Sequence, residues 1–151
     1  MRDCRLSHGS ALPSVDRMGA AENKKQIEEV FEQMATGNTA ALREAMADDF
    51  HWVFPGGWSW SGRWGPKSTA LRGLLRPLMA QFTDYRCEAD FVIAEEDRVV
   101  VQARGHGTTT RGERYEQTYC FILRMADGKI TELIEHCDTA LVERVLDRPA
   151  A

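Results

Sequence analysis

The sequence predicts an α+β domain in which N-terminal helices pack on one face of a strongly curved, cone-shaped antiparallel sheet that encloses an apolar cavity. Three observations predict it. Apolar residues recur every three to four positions in the first half and every second position after residue 83. The alternating half is divided by the turns "EEDR", "TTRGER" and "ADGK", each short enough for an antiparallel hairpin. The chain has 151 residues, enough for one core without disulfide or metal support.

The elements follow in order. Residues 1–21 mix Pro, Gly, Ser and charges without periodicity, which reads as an extension outside the fold, with Met18 available as an alternative start. From Asn23 the spacing of Ile27, Val30, Phe31 and Met34 gives an amphipathic helix that Gly37 ends. Asn38 is placed to cap a shorter helix through Asp48, with Leu42, Ala45 and Met46 inward, and "FHWVF" then reads as a strand ending at Pro55. After the loop "PGGWSWSGRWGPKS", Ser68 is placed to cap a third helix carrying Leu71, Leu74, Leu75, Leu78 and Met79, with a kink or early stop near Pro77. Cys87, Ala89, Phe91 and Ile93 then alternate with Arg86, Glu88 and Asp90 to open four strands. A last helix follows around 138–147, leaving residues 148–151 as a flexible end.

Composition narrows the partners. Nineteen Lys and Arg against 23 Asp and Glu leave a mildly acidic chain, without the basic footprint of a nucleic-acid or anionic-membrane protein. Cys4, Cys87, Cys120 and Cys137 show neither a CxxC nor a framework spacing, which points to a reducing, cytoplasmic setting. The apolar runs are short of a membrane span, and the first twenty residues lack the continuous apolar core of a signal peptide.

Candidate chemistry concentrates near the end of the chain, in "DGKITELIEHCDT". Strand alternation sets Leu133, Glu135 and Cys137 on one face and Glu132, Ile134 and His136 on the other. A carboxyl in an apolar cavity has its charged form disfavoured, which raises its pKa into the range useful for general acid or base work. The competing reading of Glu135 is an ion pair with a strand arginine such as Arg104, or plain solvent exposure. Asp138-Thr139 reads as a helix cap.

The strand "VVVQARGHGT" carries Gln102, Arg104 and His106 in alternation, candidates to line the site, with His106 a candidate for proton transfer by residue type, although a histidine at a strand end is more often on the surface. Gln117, Tyr119 and Phe121 share a face of the next strand, where they line the cavity or make cross-strand pairs. Trp52 and Phe54 alternate on the first strand as core or ligand wall. Trp58, Trp60 and Trp64 read as a flap across the cavity mouth or as a dimer contact. The histidines have no metal-ligand spacing, so no metal is expected.

The segments "FHWVFPGGWSWSG" and "RGERYEQTYCFILRMADGKITELIEHCDTALVERVL", with the helix from Asn23, resemble the SnoaL-like branch of the superfamily that includes nuclear transport factor 2 and ketosteroid isomerase, over about residues 22–147. The resemblance implies a cone-shaped α+β barrel, usually a homodimer formed through the outer sheet face, that binds a hydrophobic small molecule without a cofactor. In its polyketide cyclases and epoxide hydrolases a catalytic aspartate stands seven residues after the turn glycine, where this chain has Glu135. The resemblance thus implies Glu135 as acid or base on a polyketide- or terpenoid-like substrate. Arg104 either stabilises an enolate or alkoxide, or holds Glu135 ionised. The Arg-x-Asp pair of the epoxide hydrolases is replaced by Gln102 and Arg104. The base and oxyanion tyrosine of the steroid isomerases are also missing, with Phe54 at the position of the base. The superfamily further contains non-catalytic binding modules.

Overall fold

The computed structural model describes residues 19–150; the expected N-terminal extension lies outside the described residues apart from its last few positions. Helix α1 (Ala20–Ala35) buries Ile27, Val30, Phe31 and Met34 on one stripe. Its end is a glycine cap. Gly37 takes a φ of 90°, its N–H donates to the Met34 carbonyl and the Asn38 N–H to that of Gln33, each at 3.1 Å.

Helix α2 (Ala40–Ala45) stops earlier than the apolar spacing suggests, and Thr39 rather than Asn38 precedes it, without a side-chain cap. Met46 already pairs with Ile130, which takes residues 46–48 out of the helix and into strand β1 (Met46–Phe54). The carboxylates of Asp48 and Asp49 are also unfavourable at a helix C-terminus, where the dipole is negative.

A three-residue strand, β2 (Gly62–Trp64), folds back on β1 from within the tryptophan loop. The next helical stretch has three parts: α3 (Lys67–Ala70), a π-helical turn (Leu71–Leu75) and α4 (Arg76–Met79). Ser68 lies inside the first turn rather than capping it. Pro77 neither stops nor breaks the chain's helical course. The π-turn widens the backbone just before it, with the Arg76 N–H reaching back to the Leu71 carbonyl, and this loosens the ladder where proline lacks a donor.

Strands β3 (Phe82–Glu95), β4 (Arg98–Thr109), β5 (Arg114–Ala126) and β6 (Lys129–Cys137) form the expected antiparallel meander. The sheet order is β2-β1-β6-β5-β4-β3. One pairing is parallel: β1 lies alongside β6, so the sheet is mixed rather than wholly antiparallel. The sheet is curved and not closed, with irregular register in β1, at the start and in the middle of β3 and near the β5–β6 turn, the usual means of bending strands. One of these breaks divides the alternation that runs through Cys87, Ala89, Phe91 and Ile93. Between Ala89 and Phe91 the β3 register slips, and Phe91 and Ile93 turn outward, 51% and 57% exposed.

Helix α5 (Thr139–Val145) starts where the Asp138 side chain accepts from the Leu141 N–H at 3.1 Å, the cap read from the sequence. The helix closes one end of the curved sheet and α1 packs across β3. Among the described residues no helix is long and apolar enough to cross a membrane.

Candidate functional site

Glu135 sits on the concave face of β6, directly opposite Phe121 of β5, and is 8% exposed. The Trp52 indole Nε1–H donates to its Oε2 at 3.0 Å. Among the described residues no cation pairs with Glu135 and no second hydrogen bond reaches it. Burial therefore dominates over the single indole donor and pushes the carboxyl from the ordinary 4.5 up to about 8. At neutral pH Glu135 holds its proton and is a donor.

Beside it on β5 stands Tyr119, a diagonal neighbour on the same face. The Tyr85 hydroxyl, on β3, donates to the Tyr119 oxygen at 2.8 Å, and burial keeps both phenols firmly protonated. This pair exists because the facing position on β4 is Gly105. A Cβ there would stand 2.6 Å from the Tyr119 ring and 2.9 Å from the Tyr85 hydroxyl. Gly105→Ala is expected to separate the two hydroxyls while leaving the fold in place. The check is the ultraviolet tyrosine difference spectrum alongside an unchanged far-ultraviolet dichroism spectrum; an unaltered tyrosine environment would show that the pair does not depend on the glycine. The same face holds Cys137, whose thiol burial raises to about 12, so it is no nucleophile near neutrality.

Two narrow lobes meet at this waist. One is lined by Trp58, Trp60, Phe82, Tyr115, Val142 and Leu146, the other by Met34, Leu42, Trp52, Leu74, Leu75 and Phe121. Phe54, Leu78, Met79, Tyr85, Tyr119 and Glu135 border both. Their volumes are about 40 Å³ and 70 Å³, room for a few water molecules each. No Lys, Arg, His or Asp lines either lobe. Among the described residues no group of His, Cys, Asp and Glu gathers with the geometry of a metal site.

Several candidates stand elsewhere. Gln102, Arg104 and His106 are on the convex face, away from Glu135, because the inward positions of β4 are Val101, Ala103, Gly105 and Gly107. At Gly105 and Gly107 the space above the strand is filled by Tyr119, Tyr85 and Phe82, which an added Cβ would meet. Arg104 bonds Asp90 at 2.8 Å, and His106 meets Glu116 at 2.5 Å. The possible Arg104 to Glu135 ion pair does not form.

Gln117 is buried but fully engaged. Its amide donates to the Asp138 carbonyl and the Tyr115 hydroxyl, and its oxygen accepts from the N–H groups of Asp138 and Thr118. It ties β5 to the start of α5. Leu133 is wholly buried core and borders neither lobe.

The tryptophan loop forms a wall, fixed from several sides. Trp60 is 1% exposed and donates to the Asp147 carbonyl, while Ser59 binds the Glu143 carboxylate of α5. Tyr85, Tyr115, Leu78 and Met79 were not among the sequence candidates. Carrying the Cys87, Ala89 alternation one step back reaches Tyr85, and carrying the Tyr119, Gln117 alternation back reaches Tyr115; the placement of Leu78 and Met79 over Glu135 depends on the helix docking and has no such signal.

With this geometry in hand, comparison with known proteins defines the class. A curved sheet with helices closing a cavity of this kind is the nuclear transport factor 2-like fold. The model of the SnoaL-like domain matches residues 27–133, most of the chain, and the protein belongs to that family. Glu135 lies just beyond the matched span. Among solved structures, an NTF2-like protein of unknown function from Burkholderia pseudomallei K96243 is 20% identical, with a TM-score of 0.70 over 82% of this chain and 96% of that one. A protein assigned as a SnoaL-like polyketide cyclase from Jannaschia sp. CCS1 is also 20% identical, with a TM-score of 0.69 over 94% and 100%. TerC, co-crystallised with polyporic acid, is 21% identical, with a TM-score of 0.68 over 82% and 96%. Among curated proteins none matches the sequence.

Proposed function

We propose that the protein is an acid/base enzyme of the isomerase, cyclase, dehydratase or hydrolase type, acting on a hydrophobic small molecule that bears oxygen, with Glu135 as the proton carrier. The observation that carries this reading is a buried carboxyl, without a cation, that keeps its proton at neutral pH where two lobes of an apolar cavity meet. A protonated Glu135 donates its proton to a substrate oxygen as charge develops there, and the resulting carboxylate removes a different proton from a neighbouring substrate atom or an attacking water, which restores the carboxyl. Tyr119, polarised by the Tyr85 donor, gives that oxygen a second hydrogen bond. Trp52, Phe54 and Phe121 supply the apolar wall. The likeness to a structure of TerC co-crystallised with polyporic acid supports a ligand of this general character.

The lobes are too narrow for a ring system as they stand, so entry displaces Leu78 and Met79, the part of the lining that follows the π-turn. A second copy of the chain is the partner that fits the outer sheet face, where Phe91 and Ile93 are exposed. A reducing, cytoplasmic setting suits the free thiols of Cys87, Cys120 and Cys137.

The second reading is a non-catalytic ligand-binding or dimerisation module, favoured by the Trp52 to Glu135 bond, which serves equally to fix an aromatic wall. Turnover separates the two. A ligand recovered with the purified protein is expected to be converted by the wild type, and Glu135→Gln is expected to lose about 10²–10⁴-fold in rate, the usual worth of a positioned acid or base. Undiminished turnover by Glu135→Gln rules out the acid/base role, and a bound ligand that is never converted supports the binding module.

A further inference from the structure

The roof of the cavity has a second, outer face. Thr39, Leu75 and Met79 border the lobe that reaches Glu135, and the same three residues line a surface groove together with Leu71, Ala80, Arg43 and Arg76. The groove and the lobe thus share the side chains of these three residues. Two guanidinium groups, on α2 and α4, face this groove, and no carboxylate lines it. Among the described residues neither Arg43 nor Arg76 forms an ion pair, in a molecule where most other exposed arginines do. Asp84 borders a separate depression beyond Thr39 and Met79.

Arg43 lies in the last turn of α2, and Arg76 opens the last turn of the continuous helical stretch that ends at Met79, where a cation is favoured by the local dipole. That accounts for each alone and leaves unexplained why both face one groove with no counter-charge. Arginine pairs are suited to a planar oxyanion, which accepts from both forks at once.

We propose that the ligand is amphipathic, a hydrophobic body in the lobe above Glu135 and a carboxylate held outside by Arg43 and Arg76. The anion anchors one end of the molecule in the groove, and the apolar part passes between Leu75 and Met79 toward Glu135. Apolar lobes without a cation bind the body but give no orientation along the cavity; the arginine pair supplies it. This inference rests on the reading of the cavity as a ligand site, and adds the charge of what enters it.

The test compares naphthaleneacetate with naphthaleneacetamide, near-isosteres that differ in charge, by calorimetry on the intact chain. The wild type is expected to bind the acid roughly tenfold or more tightly than the amide, the scale of charge-assisted hydrogen bonds. Added salt lowers the preference. Arg43→Gln with Arg76→Gln is expected to abolish the preference while leaving amide binding unchanged, and Arg144→Gln, on α5 away from the groove, to preserve it. Equal binding of acid and amide by the wild type, or a preference that survives the double substitution, overturns the carboxylate anchor while leaving the cavity as a ligand site. Failure of both probes to bind overturns the anchor and the ligand-site reading together.

Discussion

Replacing Glu135 by glutamine is expected to flatten the pH dependence of stability. The folded carboxyl titrates near 8 against an ordinary 4.5, so between these values the folded state holds a proton that the unfolded chain has released. Stability contributed by this group is complete below about 4.5 and is lost as the pH rises through about 8. At about 1.4 kcal/mol per pH unit, the wild type loses on the order of 4 kcal/mol across that interval from this site. The glutamine variant has no proton to lose and still presents an acceptor oxygen to the Trp52 indole. Urea denaturation of both proteins from about pH 5 to about pH 9 checks this. The stability difference between them should move steadily in favour of the variant as the pH rises. A constant difference would mean that Glu135 is ionised throughout, with the cavity far wetter than the structure shows.

The second large effect is expected at Trp60. Its ring is buried against α5 and the wall of one lobe, its N–H donates to the Asp147 carbonyl at 3.1 Å, and its own carbonyl accepts from Trp64 at 3.0 Å. Asp147 in turn is held by Gln81 and Arg111, so the indole belongs to a clamp that joins the loop, the β4–β5 turn and the end of α5. Trp60→Ala removes packing and leaves the Asp147 carbonyl without this donor. A loss of about 3–5 kcal/mol is expected, as for other buried aromatic truncations. Trp60→Phe keeps most of the packing and should lose less. A loss below about 1 kcal/mol in the alanine variant would show that the loop is a detachable flap.

These two residues also show what could be read from the sequence. Glu135 was legible because a charged residue between Leu133 and Cys137 breaks an apolar face, and because the turn glycine fixes its position on the strand. Trp60 was legible as part of a wall or flap at the cavity, but its burial was not, since three tryptophans in a Gly-rich loop look exposed and only the folded loop shows Trp60 tied to the end of α5. The four-strand meander followed from period-two alternation and short turns. The parallel pairing of β1 with β6 did not, because alternation fixes which residues share a face and says nothing of strand direction. The same limit misplaced Gln102, Arg104 and His106. Alternation separated them correctly from Ala103, Gly105 and Gly107, but which set faced inward depended on Tyr85, Tyr119 and Phe82 reaching across from other strands. The exposure of Phe91 and Ile93 was not legible either, because a bulge that no spacing rule announces shifts them to the other face from Cys87.

The proposed chemistry turns on one proton. Carbon NMR of the glutamate side-chain carboxyls, labelled isotopically and assigned by comparison with Glu135→Gln, reads it directly in the ligand-free protein. A single resonance titrating near 8, absent from the variant, is the predicted result. A Glu135 carboxyl that titrates at the ordinary 4.5 would contradict the proposed role at its centre.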